Sequence, residues 1–161
     1  LFTPKSLLRH PAAASPQATF LQGEFQPVIP EVDPQITPAQ VQRIILCSGK
    51  LYYDLYQARQ AQAISHVALL RLEQSYPFPR ASLTRALQAY SAASDVVWCQ
   101  EEPRNQGAWQ ALRAWLKVVA GPQRRVHYVG RPAAASPAAG YYKLHTRQQE
   151  ALIQQALVLS L

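Results

Sequence analysis

Hydrophobic positions after residue 41 follow two spacings that alternate along the chain. Short runs rich in β-branched and aliphatic residues predict strands over residues 43–48, 67–72, 95–99 and 126–129. Apolar residues three or four positions apart predict helices over about 50–63, after Pro77, over 106–120 and over 146–159. Alternation of this kind is typical of βα units, so we expect an α/β fold with a mostly parallel sheet.

Residues 1–40 show neither spacing and carry seven prolines. Each proline removes a backbone donor and biases the preceding residue toward extended geometry. A single short helical turn is predicted over 6–10, and Phe25, Val28 and Ile29 alternate as in an extended stretch. Because the chain starts at Leu1 without a secretory signal, we predict an arm over 1–40 that comes from an upstream domain, followed by one domain over 41–161.

Polar residues follow each predicted strand, where a parallel sheet gathers its ligands at the carboxyl ends of the strands. Lys50 follows the first strand at a helix start, where free backbone amides favour an anion. It is not part of a phosphate loop, because Ile44 and Leu51 stand where that motif needs glycine and a hydroxyl. Arg131 follows the fourth strand and can hold a carboxylate by two parallel bonds, with a surface ion pair as the alternative.

Glu101 and Glu102 follow the third strand, between Trp98 and Trp109. Adjacent carboxylates can form an acid/base pair, because like charges raise one pKa. The alternative is one exposed glutamate and one bonded to backbone amides or an arginine, within a turn that orders the sheet edge. We favour the turn and predict no catalytic residue in this chain. The polar residues of this segment are predicted to contact another domain or subunit: Gln100, Glu101, Glu102, Asn105 and Gln106.

Composition excludes several other functions. The net charge is +7, but the basic residues are scattered, which argues against a nucleic-acid interface. No apolar run approaches the ~20 residues that span a bilayer, so we expect no membrane contact. The four histidines are dispersed and no metal-ligand spacing occurs, so no metal site is expected. Cys47 and Cys99 each end an apolar run and are predicted to be buried, unreactive thiols.

Five motifs in order along the chain resemble the C-terminal region of the decarboxylase component of 2-oxoglutarate dehydrogenase. They cover residues 3–11, 47–55, 71–79, 98–109 and 130–137. The resemblance implies a three-layer α/β/α domain like the C-terminal domain of transketolase. It also implies a parent enzyme that decarboxylates 2-oxoglutarate in the citric acid cycle and passes the succinyl group to a lipoyl arm on a dihydrolipoyl succinyltransferase core.

The implied cofactors are thiamine diphosphate and magnesium, which this family binds in upstream domains at a homodimer interface. The Gly-Asp-Gly motif that binds the diphosphate in the family is absent here, so we expect this chain alone to bind no cofactor and to be inactive. The implied location is the bacterial cytoplasm or the mitochondrial matrix. Two alternatives remain: a stand-alone anion-binding regulatory module, and the same domain of a 2-oxoadipate dehydrogenase.

In some members of this family, the C-terminal domain also helps to bind acetyl-CoA or a nucleotide effector. Gln74 matches an effector-binding position, and Arg80 follows a turn after which acetyl-CoA-binding members carry basic residues. Ala81 and Ser82 then depart from that pattern, and Glu24 replaces a basic residue of the arm, which argues against acetyl-CoA. We predict an effector or anion site drawn from Gln74, Arg80, Lys50 and Arg131.

Overall fold

The computed structural model describes residues 4–158. Within that range, one sheet contains the strands β1 (Val28–Ile29), β2 (Arg43–Cys47), β3 (Val67–Leu72), β4 (Asp95–Pro103) and β5 (Arg125–Arg131). The strand order is β1-β3-β2-β4-β5. Strands β2 to β5 are parallel, and β1 pairs antiparallel with β3 at one edge. The predicted α/β class and mostly parallel sheet are therefore confirmed.

Helices cover both faces of this sheet, so the domain has three layers. The α-helices of the described range are α1 (Gln17–Gln22), α2 (Leu51–Ala61), α3 (Arg80–Gln88), α4 (Trp109–Ala120) and α5 (Tyr142–Leu157). Leucines of α3 and α4 pack with Ile44 and Leu46 on one face. Residues of α2 and α5 pack with Ile45 and Val97 on the other. Because both faces are covered, the central strands are continuous apolar runs.

Several predicted boundaries differ from the observed ones. Strand β4 continues to Pro103, since residues 100–102 form a bulge that re-pairs with β5, and β5 itself reaches Arg131. Helix α5 begins at Tyr142, so the proline-rich loop is shorter than predicted. The arm contains α1, which the proline spacing did not predict. The predicted helix end at Leu159 and residues 1–3 lie outside the described residues.

The second half of the predicted arm packs on the sheet. Val28, Ile36 and Val41 are buried in the same core as α3 and α4. Glu31 lies between them, beyond the end of β1. Its carboxylate accepts a 2.7 Å hydrogen bond from the Leu69 amide of β3. Its carboxylate thus satisfies a donor on the sheet edge that β1 is too short to reach. The division of the chain at residue 40 stays a prediction.

Arg59 of α2 holds the arm segment around Glu31 and Asp33 against β3. Its side chain is 1% exposed and forms ion pairs with Glu31 and with Asp33, the latter at 3.1 Å. The same guanidinium donates a 3.1 Å bond to the Val67 carbonyl. Two carboxylates that are almost fully buried therefore depend on one cation, which joins the arm, α2 and β3.

Replacement of Arg59 by alanine should therefore destabilise the protein strongly, because it leaves Glu31 and Asp33 buried without their cation. We expect a loss of about 3–5 kcal/mol in the free energy of unfolding, measured by urea denaturation. Arg113→Ala, at an exposed position of α4, is the control and should change that free energy by less than about 0.5 kcal/mol. Equal effects of the two substitutions would contradict the anchoring role of Arg59.

Candidate functional site

The sheet has a topological switch point between β2 and β4. The chain leaves β2 through α2 toward β3 on one side, and it leaves β4 through α4 toward β5 on the other. Divergent connections open a crevice at the carboxyl ends of the two neighbouring strands, which is where ligands of such sheets bind. Lys50 follows β2, and Glu101 lies in the bulge near the carboxyl end of β4. Both side chains therefore face this crevice.

The crevice is filled by a network of the chain's own polar side chains. Lys50 forms an ion pair with Glu101, and its Nζ lies 3.8 Å from the Asp54 carboxylate. Gln149 Nε2 donates to Asp54 at 2.9 Å and to Glu101 at 3.1 Å. Arg131 Nη2 donates to Gln149 Oε1 at 3.1 Å. Lys50 and Arg131, both predicted to bind anions, therefore meet through Gln149.

Glu101 and Glu102 do not form an acid/base pair. Neighbouring residues of a strand point to opposite faces. Glu101 accordingly joins the network on the α2 and α5 side, while Glu102 is exposed and its carboxylate makes no hydrogen bond or ion pair within residues 4–158. One glutamate is therefore bonded and one exposed, but the partners of Glu101 are Lys50 and the Gln149 amide rather than the predicted backbone amides or arginine.

Gln100 organises the other face of the same edge. Its Oε1 accepts bonds from the Trp98 indole at 2.8 Å and from the Trp109 amide at 3.0 Å. Its Nε2 donates to three carbonyls, the shortest being 2.8 Å to Gln106. Gln100 is 3% exposed, so this side chain binds the bulge to the start of α4. It was predicted as an interface residue, but its amide is used entirely inside the chain.

Two glycines make this close packing possible. Gly107 has φ 65°, and a Cβ there would lie 2.8 Å from Gln100 Nε2. A Cβ at Gly130 would lie 2.8 Å from the Gln100 carbonyl oxygen. Both positions therefore need glycine, the first for its backbone conformation as well as its size.

Asn105 and Gln106 connect the β4–α4 turn to the loop after β5. The Asn105 side chain forms two 3.0 Å bonds with the backbone of Ala134, one as donor and one as acceptor. Gln106 Nε2 donates a third 3.0 Å bond to the Ala134 carbonyl. These two predicted interface residues thus hold a loop of their own chain, and a contact with another subunit stays a prediction for them and for Glu102.

Gln74 and Arg80 lie on another part of the edge. Gln74 donates a 2.7 Å bond to the Pro77 carbonyl and so closes the β3–α3 turn. Arg80 is exposed at the start of α3 and lines an open cavity of about 800 Å³ whose wall includes the stacked rings of Phe78 and Trp115. Within the described residues, no hydrogen bond or ion pair connects these two side chains with Lys50 or Arg131.

The sequence interpretation missed two members of the network, Asp54 and Gln149. Asp54 lies one helical turn after Lys50, a spacing that brings side chains together on a helix. Gln149 precedes the buried residues Leu152, Ile153 and Ala156 by three, four and seven positions, so it lies on the sheet-facing side of α5. These spacings predict the helix face on which Asp54 and Gln149 lie. They do not predict which strand end each side chain reaches.

The described residues also bear on a metal centre, on a membrane-spanning helix and on the state of the two thiols. Within residues 4–158 no three His, Cys, Asp or Glu side chains come together as a metal site, and no helix has the length and apolar character needed to cross a bilayer. Both cysteines are buried on the α2 and α5 face. Burial raises the pKa of the Cys47 thiol to about 12 and raises the pKa of Cys99 well above its ordinary value.

The fold and the edge define a class: a doubly wound α/β domain whose switch point is occupied by its own ion pairs and amides. Comparison with known sequences identifies the family. Residues 14–157 match the family described as 2-oxoglutarate dehydrogenase C-terminal, and the chain belongs to this family.

Several curated relatives are similar over almost the whole chain. The 2-oxoglutarate dehydrogenase E1 component of Haemophilus influenzae is 48% identical over 96% of this chain and 16% of the relative. The corresponding protein of Azotobacter vinelandii is 46% identical over 98% of this chain and 17% of the relative. That of Cupriavidus necator is 44% identical over 97% and 16%. The chain therefore spans about a sixth of the length of the relatives that it matches.

Replacement of Gln100 by alanine should destabilise the sheet edge, because it leaves the buried indole N–H of Trp98 without its acceptor. We expect a loss of at least about 1–3 kcal/mol in the free energy of unfolding, measured by denaturant titration. The matched control is Gln110→Ala, which removes one exposed 3.2 Å bond to the Arg104 carbonyl and should have little effect. A loss at Gln100 no larger than at Gln110 would show that the amide does not organise the edge.

The two thiols should be unreactive in the folded protein. At pH 8 the Cys47 thiol, whose pKa is raised to about 12, stays protonated, and the thiolate is the reactive form. Titration with a thiol-specific aromatic disulfide should therefore label neither cysteine in buffer and both in denaturant. Rapid labelling of the native protein at pH 8 would contradict their burial.

Proposed function

We propose that this chain is the C-terminal domain of a longer 2-oxoglutarate dehydrogenase and that it serves there as a scaffold. The observation that carries the proposal is the family match over residues 14–157, with relatives 44–48% identical over 96–98% of the chain. The match also speaks against the alternative of a stand-alone anion-binding module. The parallel sheet with helices on both faces supports a fold like the C-terminal domain of transketolase.

The parent enzyme, in this proposal, decarboxylates 2-oxoglutarate and passes the succinyl group to a lipoyl arm of a dihydrolipoyl succinyltransferase core. Thiamine diphosphate and magnesium supply the decarboxylation chemistry when bound. The Gly-Asp-Gly motif by which this family binds the diphosphate is absent from this sequence. We therefore assign both to upstream domains of the same enzyme. A location in the bacterial cytoplasm or mitochondrial matrix stays a prediction.

The scaffolding role is supported by how the sheet edge is used. Lys50, Glu101, Asp54 and Gln149 are joined by ion pairs and hydrogen bonds in a partly buried network, which restrains the side chains at this edge. A rigid edge presents the exposed Glu102 and the cavity beside Arg80 at defined positions. We assign these outward-facing groups to contacts with upstream domains or with the second subunit of a homodimer, and the Arg80 side to an effector.

The substrate is the point on which the second candidate differs. A 2-oxoadipate dehydrogenase would carry the same domain, because the groups that select the 2-oxo acid lie, in this proposal, upstream of this chain. The relatives are named as 2-oxoglutarate dehydrogenases, which favours 2-oxoglutarate.

The test compares two polypeptides: the product of the complete gene and the 161-residue chain. Each is supplied with thiamine diphosphate, magnesium and an artificial electron acceptor. We expect release of carbon dioxide from 2-oxoglutarate by the longer protein, a lower kcat/KM with 2-oxoadipate, and no turnover by the 161-residue chain. Turnover by the short chain would disprove the scaffolding role. A preference of the longer protein for 2-oxoadipate would show that the parent enzyme is the second candidate, a 2-oxoadipate dehydrogenase.

A further inference from the structure

A small cavity lies beyond the carboxyl ends of β4 and β5, under the loop that follows β5. Its volume is about 170 Å³. Most of the wall is apolar, with Pro103 from β4, alanines from the loop and Leu144 from α5. The polar lining groups include Arg131 and Ser136. It is distinct from the cavity beside Arg80, which lies on the other side of the sheet edge among residues of α3 and α4.

Arg131 is unusual among the buried cations of this protein. Arg131 is only 5% exposed, yet no carboxylate lies within 4 Å of its guanidinium in the described range. Arg43 and Arg59, the other buried arginines, pair with Asp95 and with Glu31 and Asp33. Buried charges are normally paired in this way, because an unpaired charge carries a large desolvation cost.

The Arg131 guanidinium also has unused donors. Among residues 4–158 its hydrogen-bond partner is the neutral Gln149 amide, and its Nε is buried without a partner there. The nearest network carboxylates, Asp54 and Glu101, reach Arg131 only through that amide and are engaged by Lys50. The fork of the guanidinium is therefore available for an acceptor from outside the described chain.

The walls of the cavity are held in place without a ligand. Strand pairing sets Arg131 opposite Pro103, and the Arg104 amide donates a 3.0 Å bond to the Arg131 carbonyl. The three 3.0 Å bonds from Asn105 and Gln106 hold the loop at Ala134. Such preorganisation lowers the entropic cost of binding.

We propose that Arg131 and this cavity form a binding site for a carboxylate group attached to a short aliphatic body. A guanidinium binds a carboxylate through two parallel charge-assisted bonds, and the apolar wall suits a few methylene groups. The volume is below the ~300 Å³ at which sites for drug-sized ligands begin, so the occupant is a small organic acid or a single acidic side chain. The site stands whether or not the parent enzyme acts on 2-oxoglutarate.

The first experiment titrates the 161-residue protein with sodium butyrate, with acetate, and with sodium chloride at the same ionic strength. We expect a concentration-dependent rise in Tm with butyrate, a smaller one with acetate and none with chloride. Arg131→Lys keeps the charge but loses the fork, so it should weaken butyrate binding at least about tenfold. Arg113→Gln, at an exposed position of α4 that lines neither cavity, is the control and should bind butyrate as the unaltered protein does.

The second experiment identifies the source of the carboxylate. If a second copy of the protein supplies an acidic side chain, sedimentation should show self-association. Butyrate should reverse this self-association, and Arg131→Gln should abolish it. If the ligand is a free acid, butyrate should raise Tm without any change in association. Equal effects of chloride and butyrate, or butyrate binding that Arg131→Lys leaves unchanged, would overturn the site.

A measurement on the unaltered protein tests the site even if the substituted proteins do not fold. In a nitrogen-15 spectrum, butyrate should shift the Arg131 side-chain Nε resonance and the backbone amides of residues 133–136, while the Arg113 Nε resonance stays in place. An unshifted Arg131 resonance at saturating butyrate would overturn the proposal without any substitution.

Discussion

Side-chain alternation along β4 is the constraint on which the rest of this structure depends. The strand continues past the buried core to Pro103 and re-pairs with β5 after a bulge. Alternation then sends Gln100 to the face of α3 and α4, where it binds the tryptophans, and Glu101 to the face of α2 and α5, where it binds Lys50. Each helical layer is thereby tied to the same strand end, and a shift of one residue would exchange the two roles.

Burial of charge follows one rule in this domain, and its exception is informative. Arg43 pairs with Asp95 at the amino end of the sheet, and Arg59 pairs with acids of the arm. At the carboxyl end, Arg131 is 5% exposed, and among residues 4–158 its side chain bonds the Gln149 amide and no carboxylate. The first two cations have an evident structural role, since each holds segments of the chain together. Arg131 lies at the edge where parallel sheets bind their ligands, which is the reason for proposing a carboxylate there.

The family and the closed polar network are consistent with each other. A switch point is ordinarily where such sheets place a ligand, and here the ion pair and the amides fill it. Scaffolding needs rigidity at this edge more than open space. What remains open lies at its two sides, in the larger cavity beside the Phe78 and Trp115 rings and in the smaller one beside Arg131. The two proposed sites, the effector side beside Arg80 and the carboxylate site beside Arg131, are thus separated in space.

The sequence by itself determined the fold class, the order of the central elements and the family, because apolar periodicity and long motifs are local properties of the chain. It also located the polar sheet edge, since carboxyl strand ends follow from strand direction alone. The tertiary structure decided which polar groups meet. Gln149 reaches Glu101 from 48 positions away, and the bulge turns a predicted turn into strand. Those outcomes depend on register and helix docking, which no local pattern encodes.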